Sequence, residues 1–292
     1  MDKIKVILDT DIGTDIDDSE CLAYLLCQDR CDLLGVTTVS GEAVERAMLA
    51  SVIMRAAGKK VPIHPGADKP LCSTNFQPRA GQKEKLETWE HDTDFEPYSA
   101  IEFLKKTIEA NPGEVILLAI GPLTNIALLC SIYPETVKKL KELVIMGGQF
   151  FQPDKFAEWN IRCDPYAAKI VLQSGVKMRL IGLDVTRKVT MKTSEFAEKF
   201  TSDVLKPVKE FSEVWFRNHD ISTFHDPLAA TVIFEDLCTY KQGTATVDLT
   251  GKEEVEGRKG ATYFEEGEGC HFAADTVKPE AFFKHYFEIT LK

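Results

Sequence analysis

The sequence predicts an α/β fold: a single large domain with a mostly parallel central sheet flanked by helices, a Rossmann-like open sheet with its active site at the C-terminal ends of the strands. Three observations predict it. Short apolar runs alternate with helix-period segments over most of the chain, the β-α-β-α rhythm of parallel sheets. Turn or acidic residues follow three of the apolar runs, at Asp9, at Gly121-Pro122 and at Gly147-Gly148, so three strand ends can line one crevice. The 292 residues, 44% hydrophobic and 28% charged, suffice for a packed core, and no internal repeat or Pro/Ser-rich linker divides them.

Each element has its own signal. Residues 4–8 read as a buried strand and 19–28 as a helix with an apolar face. Residues 33–39, rich in β-branched side chains, read as a strand, and 42–57 as a helix ended by Gly58. A short strand follows at 61–64. The polar, irregular stretch 73–97 reads as a surface loop or lid. Residues 98–110 are helical and stop at the breaker Asn111-Pro112-Gly113. Strand 115–120, helix 123–132, strand 143–146, helix 164–173 and strand 178–183 continue the rhythm. The last third, about 193–292, is less regular. It holds a helix over 193–216 broken near Pro207, a helix over 227–234, and a closing helix over 278–291 opened by Pro279. Strands at 244–249 and 270–274 flank a polar loop, 251–269, that reads as mobile. Residues 1–292 are thus expected to form a single domain.

Composition narrows the function. A net charge of −11 repels nucleic-acid phosphates and anionic membranes, so neither is an expected partner. None of the eight cysteines forms a Cys-x-x-Cys pair, which favours free thiols in a reducing cytosol over a zinc site or a disulfide framework. The apolar run at the N-terminus is too short for a signal peptide and stops at Asp9, and no later stretch can span a bilayer. The expected location is the cytoplasm.

The chemistry concentrates in residues 9–18, where Asp9, Asp11, Asp15, Asp17 and Asp18 fall within ten residues. Carboxylates this dense stay ionised together only if solvated, hydrogen-bonded to amides, or bound to a cation. Capping of the next helix needs one or two of them. An EF-hand loop starting at Asp9 would place Thr14 where the sharp turn requires Gly. An Asp-x-Asp phosphatase motif, with Asp9 as nucleophile and Asp11 as acid/base, also follows a first strand but leaves Asp17-Asp18 unexplained.

The segment more closely resembles the signature of the nucleoside hydrolases, the inosine–uridine-preferring N-ribohydrolases: Asp-x-Asp-Pro-Gly-x-Asp-Asp between a strand and a helix. Asp9, Asp11, Gly13, Asp17 and Asp18 match, while Ile12 replaces Pro and two extra residues precede Asp17. Further likenesses follow in order: Gly121-Pro122-Leu123-Thr124-Asn125, Met146-Gly147-Gly148, Glu158-Trp159-Asn160 with Asp164-Pro165, Gly182-Leu183-Asp184-Val185-Thr186, and His225-Asp226-Pro227.

The resemblance implies Ca²⁺ as cofactor, held by Asp11, Asp18, Asp226 and the backbone carbonyl of Ile120. It implies that the cation holds and acidifies a water whose proton Asp11 takes as general base, and that the transition state is oxocarbenium-like. Asp17, Met146, Glu158 and Asn160 would face the sugar, and His225 would serve the departing base as acid. Glu42 stands where the family commonly has Asn; it would either replace its ribose contact with a carboxylate or point to solvent at a helix start. The family's His-Gly loop is absent, and Trp89, His91, His219 and Phe224 are the candidates for a base pocket. A nucleoside is the implied small-molecule partner, and a homodimer or homotetramer the implied assembly. Two other readings stand beside this one: a magnesium-dependent phosphatase of the haloacid-dehalogenase type, and a non-catalytic nucleoside- or ribose-binding homologue.

Overall fold

In the computed structural model, which describes residues 3–152, 156–250 and 259–292, the first strand lies at the centre. β1 (Ile4–Thr10) pairs in parallel with β2 (Cys31–Thr38) on one side and, through residues Val6 to Asp9, with β4 (Ile116–Ala119) on the other. Between β1 and β2 runs α1 (Asp17–Cys27); α2 (Ala43–Ala56) then leads to β3 (Ile63–Pro65) at the sheet edge. A 3-10 helix (Gly81–Thr88) and α3 (Ala100–Ala110) cross back to β4 (Ile116–Ala119). Next come α4 (Thr124–Ile132), α5 (Pro134–Val137), β5 (Glu142–Met146), α6 (Trp159–Cys163), α7 (Pro165–Leu172) and β6 (Met178–Ile181). The short α8 (Leu183–Thr186) precedes a two-stranded ribbon, β7 (Thr190–Lys192) with β8 (Ile221–Thr223), which brackets α9 (Thr193–Lys199) and α10 (Leu205–Trp215). The chain closes with α11 (His225–Thr231), β9 (Cys238–Val247), β10 (Thr262–Glu266), β11 (His271–Val277) and α12 (Pro279–Thr290).

The nine-stranded sheet has the order β10-β9-β11-β6-β5-β4-β1-β2-β3. β3 through β11 in that row run parallel, and β9 turns the far edge antiparallel. One apolar cluster covers each face: Leu8, Leu22, Ile53, Phe211 and Tyr286 belong to one, Ile7, Leu117, Ile126 and Val171 to the other. The alternation of Ile7 and Leu8 between the two is the period of a strand buried on both sides. Chain order reverses between β1 and β4. Loops leaving two neighbouring strands in opposite directions open a crevice there.

Three expectations for the last third shift. The break in the 193–216 helix falls between α9 and α10, because Pro207 sits in the first turn of α10, where its missing N–H costs no hydrogen bond. Strand 244–249 begins earlier, at Cys238. A third strand, β10, lies inside the stretch expected to be a polar loop; at the sheet edge it packs Phe264 against Phe150 and Phe151 while Glu265 and Glu266 face water. Residues 251–258 of that stretch lie outside the described residues.

Candidate active site

The acidic loop leaves β1 at the crevice. Thr10 Oγ1 donates to Asp18 and accepts from the amide of Ile12 at 3.1 Å. Beyond it the carbonyls of a loop two residues longer than the family pattern need donors. Arg46, fully buried on α2, supplies them: Nη1 donates to the carbonyls of Asp11 and Ile12 and to Thr14 Oγ1, and Nε to the carbonyls of Ser40 and Gly41. Gln82 adds its backbone N–H to Gly13 O at 2.9 Å and its side-chain amide to Asp15 O at 2.8 Å.

Asp17 and Asp18 occupy the first turn of α1 and Asp226 the first turn of α11, where helix dipoles favour negative charge. One oxygen from each lies within 4.8 Å of the others. All three are buried. Desolvation, and after it the charges of the neighbouring carboxylates, pushes each of them well above the ordinary carboxylate range. A cation among them removes that penalty, and an all-oxygen donor set suits a hard divalent ion. Asp11 lines the same cavity of about 670 Å³ but stands outside the trio, its Oδ2 bound by the amide of Gln77. Behind them Asp9 is fully buried, held by Asn125 Nδ2 at 2.7 Å and Thr37; burial carries it up to about 7.

The neighbouring wall comes from β4, β5 and α6. Glu158 caps α6, accepting from the amides of Asn160 (2.8 Å), Ile161 (3.1 Å) and Gly148 (3.1 Å), and burial outweighs these bonds to raise it to about 7. Asn160 Nδ2 donates to Ile120 O at 2.7 Å and to Met146 O at 3.2 Å, drawing those three residues together. Gly121 permits the close approach of β4's end to the acidic loop: a Cβ there would lie 2.7 Å from Asp11 Oδ1.

A further part of the lining is formed by Leu183, Arg187, Trp215, Thr223 and His225. Thr186 Oγ1 lies 2.7 Å from His225 Nδ1. Burial, and secondarily the charge of Arg187, lowers His225 to about 4, so the imidazole is neutral at pH 7.

The family model for inosine-uridine preferring nucleoside hydrolases matches residues 6–284. The chain belongs to that family. Uridine nucleosidase 1 of Arabidopsis thaliana is 33% identical over 275 residues, covering 85% of this chain and 79% of the relative. The pyrimidine-specific ribonucleoside hydrolase RihB of Escherichia coli (strain SE11) is 31% identical over 201 residues, covering 64% of this chain and 62% of its own. A purine-preferring ribonucleoside hydrolase from Gardnerella vaginalis shares the fold, with a TM-score of 0.81, 23% identity and 98% coverage of both chains. The match along nearly the whole nucleoside hydrolase sequence sets the phosphatase reading aside.

Several residues expected at the site of this nucleoside hydrolase stand elsewhere. Positive φ angles at Ser40, Gly41 and Glu42 swing Glu42 away from the cavity; its carboxylate binds Lys83 and the amide of Ala80. Trp89 donates its Nε1 to Glu210 at 3.0 Å, and His91 lies against the carbonyl of Trp89. Neither lines the cavity. Phe224 is fully buried, edge-on to Phe282, Phe283 and Tyr286, because β8 turns it into the core. His219 is exposed and stacks at 3.7 Å on Trp215, so it backs the aromatic wall without forming it. The wall residues Gln77, Trp159 and Arg187 were not among the expected set. Arg46 carried a usable signal: a lone charge in the otherwise apolar stripe Ala43, Ala47, Ala50 and Met54 of α2.

Proposed function

We propose that the protein is a calcium-dependent ribonucleoside hydrolase that splits the N-glycosidic bond into nucleobase and ribose. The observation that carries the reading is the convergence of Asp17, Asp18 and Asp226 beside Asp11 and Ile120, at the reversal of strand order. Asp18 and Asp226 of that trio, joined by Asp11 and the Ile120 carbonyl, would hold the ion, and Asp17, the third carboxylate of the trio, would accept from a ribose hydroxyl. When bound, Ca²⁺ supplies an acidified water and a grip on the sugar hydroxyls. Asp11 takes the proton of the attacking water. The surrounding carboxylates favour positive charge on the ribosyl ring as the bond to the base breaks. Glu158 and Met146 shape the sugar wall, and Asn160, tied to Ile120, orients a hydroxyl. His225, neutral at pH 7, serves the base as a hydrogen-bond donor through Nε2, with Nδ1 accepting from Thr186.

Uridine is the first substrate to test, given the uridine-named relative from Arabidopsis thaliana. Base release from uridine, cytidine, inosine and adenosine is measured with Ca²⁺ and after chelation. Release that requires a divalent ion, and is restored best by Ca²⁺, supports the reading. Tight ribose binding without turnover would favour the idle binding homologue instead. A homodimer or homotetramer is the proposed assembly, read by light scattering. The cytoplasm is the proposed location; all eight cysteines are free thiols, as a reducing compartment keeps them. Among the described residues no helix is long and apolar enough to cross a membrane.

A further inference from the structure

Charge is unevenly placed in the cavity. Asp11, Asp15, Asp17, Asp18 and Asp226 crowd the end built on β1, α1 and α11. A departing nucleobase carries off the electron pair of the glycosidic bond, and the carboxylates at that end disfavour its negative charge. The lining also holds a cation on the His225 side. Arg187 follows α8, immediately after Thr186, whose hydroxyl touches His225 at 2.7 Å. It lines the cavity and is exposed, and its side chain has no hydrogen-bond, ion-pair or ring partner among the described residues. The other arginine of the lining, Arg162, sets its guanidinium 4.8 Å from the centroid of the Phe76 ring.

We propose that Arg187 is a leaving-group residue: its guanidinium binds a carbonyl oxygen of the departing base and neutralises the charge that develops there. The inference rests on the hydrolase reading above. In the step, the C1′–N bond breaks and its electron pair leaves with the base, spread onto the carbonyl oxygen. The oxygen of water bonds to C1′ and keeps one proton as the new 1′-hydroxyl. The second proton passes through Asp11 and solvent to the base nitrogen. Arg187 keeps its own proton, since a guanidinium releases none near neutral pH, and its planar fork suits a carbonyl acceptor. Such a contact favours bases that bear a carbonyl, such as uracil or hypoxanthine, over adenine, in line with the inosine–uridine preference of the family.

The test compares wild type with Arg187→Gln and Arg187→Lys on uridine, inosine and p-nitrophenyl β-D-ribofuranoside, whose leaving group departs as a stable anion unaided. The side chain is exposed, and an unchanged melting curve confirms that each variant folds. Arg187→Gln should lower kcat on uridine and inosine by about 10²-fold, the usual cost of one donor to a developing anion, and change the nitrophenyl riboside little. Arg187→Lys should recover part of the loss. Equal losses on nucleosides and the nitrophenyl riboside would overturn the proposal, as would no loss on either nucleoside. A wild-type protein inert towards all three compounds would instead defeat the hydrolase reading on which it rests.

Discussion

The indole Nε1 of Trp159 donates to Gln77 Oε1 at 2.6 Å. An indole N–H can only donate, so the amide oxygen must face it and Nε2 must face Asp11, to which it donates in turn. Trp159 thereby fixes the orientation of the group that holds Asp11. Gln77→Leu should lower kcat/KM on uridine about 10-fold with little change in melting temperature, the scale of one lost charge-assisted bond. Gln77→Glu, placing a second carboxylate against Asp11, should lose more. Steady-state kinetics checks both, and equal activity of Gln77→Leu and wild type would remove Gln77 from the site.

Asp11→Asn keeps the shape of the side chain and removes the base. Turnover should fall by about 10²- to 10⁴-fold, the range for a general base, while the circular dichroism spectrum is unchanged. Activity within a few-fold of wild type would end the assignment of Asp11 as base.

The metal-free protein should become less stable as pH rises from 6 to 8. Asp9 and Glu158 are lifted by burial from 3.8 and 4.5 to about 7 in the folded chain. Between those ordinary values and 7 the folded state binds more protons than the unfolded one, so this stability is complete below about 4 and lost as pH rises through 7. Added Ca²⁺ neutralises the cluster, so its effect on melting temperature should be larger at pH 8 than at pH 6. Calorimetry at the two pH values, with Ca²⁺ and with chelator, decides; a Ca²⁺ shift that shrinks from pH 6 to pH 8 would contradict it.

His225, lowered to about 4 by burial, stays neutral across the working range. Its action as a hydrogen-bond donor therefore needs no imidazolium. His225→Ala should lower kcat on uridine by at least about 10-fold, at the lower end for loss of one site donor. The wild-type rate should show no decline centred near pH 6.5 as pH rises. A decline there would mean that the charged ring is the active form.

Arg46 donates to six acceptors from a fully buried position. Arg46→Met should destabilise the fold by about 3–5 kcal/mol, because the carbonyls of the acidic loop are left buried without donors. Urea unfolding measures it. A loss under about 1 kcal/mol would show that water reaches those carbonyls instead.

The parallel core was legible because its signals are local and redundant. β1, β4 and β5 are short apolar runs ended by Asp, Gly or Pro, and each was placed within two residues. The acidic half of the cavity was legible for a related reason: Asp11, Asp17 and Asp18 are close in sequence, and Asp226 joins them through one recognisable pair with His225. The other half was not. Trp215 and Phe216 are adjacent aromatics at the end of one helix, yet one lines the cavity and the other meets Phe196 edge-on at the margin of the core. That choice is made by how α10 sits against its neighbours. Phe224 was misplaced for the same reason, and Glu42 because three successive positive φ angles redirect a side chain that composition alone left free. β10 escaped notice because an edge strand with one packed face looks, residue by residue, like a polar loop.

The reversal of strand order between β1 and β4 has a consequence for how such a molecule can change. It puts bond cleavage on elements welded to the sheet, where Gly121 has no room even for a methyl group and Arg46 locks the loop from behind. The side chains proposed to meet the departing base, Arg187 just after α8 and Trp215 at the end of α10, are less buried than that frame and are not part of the sheet. Exchanging the segment from Leu183 to Thr223 between relatives of different base preference should transplant the preference and leave the cutting apparatus intact.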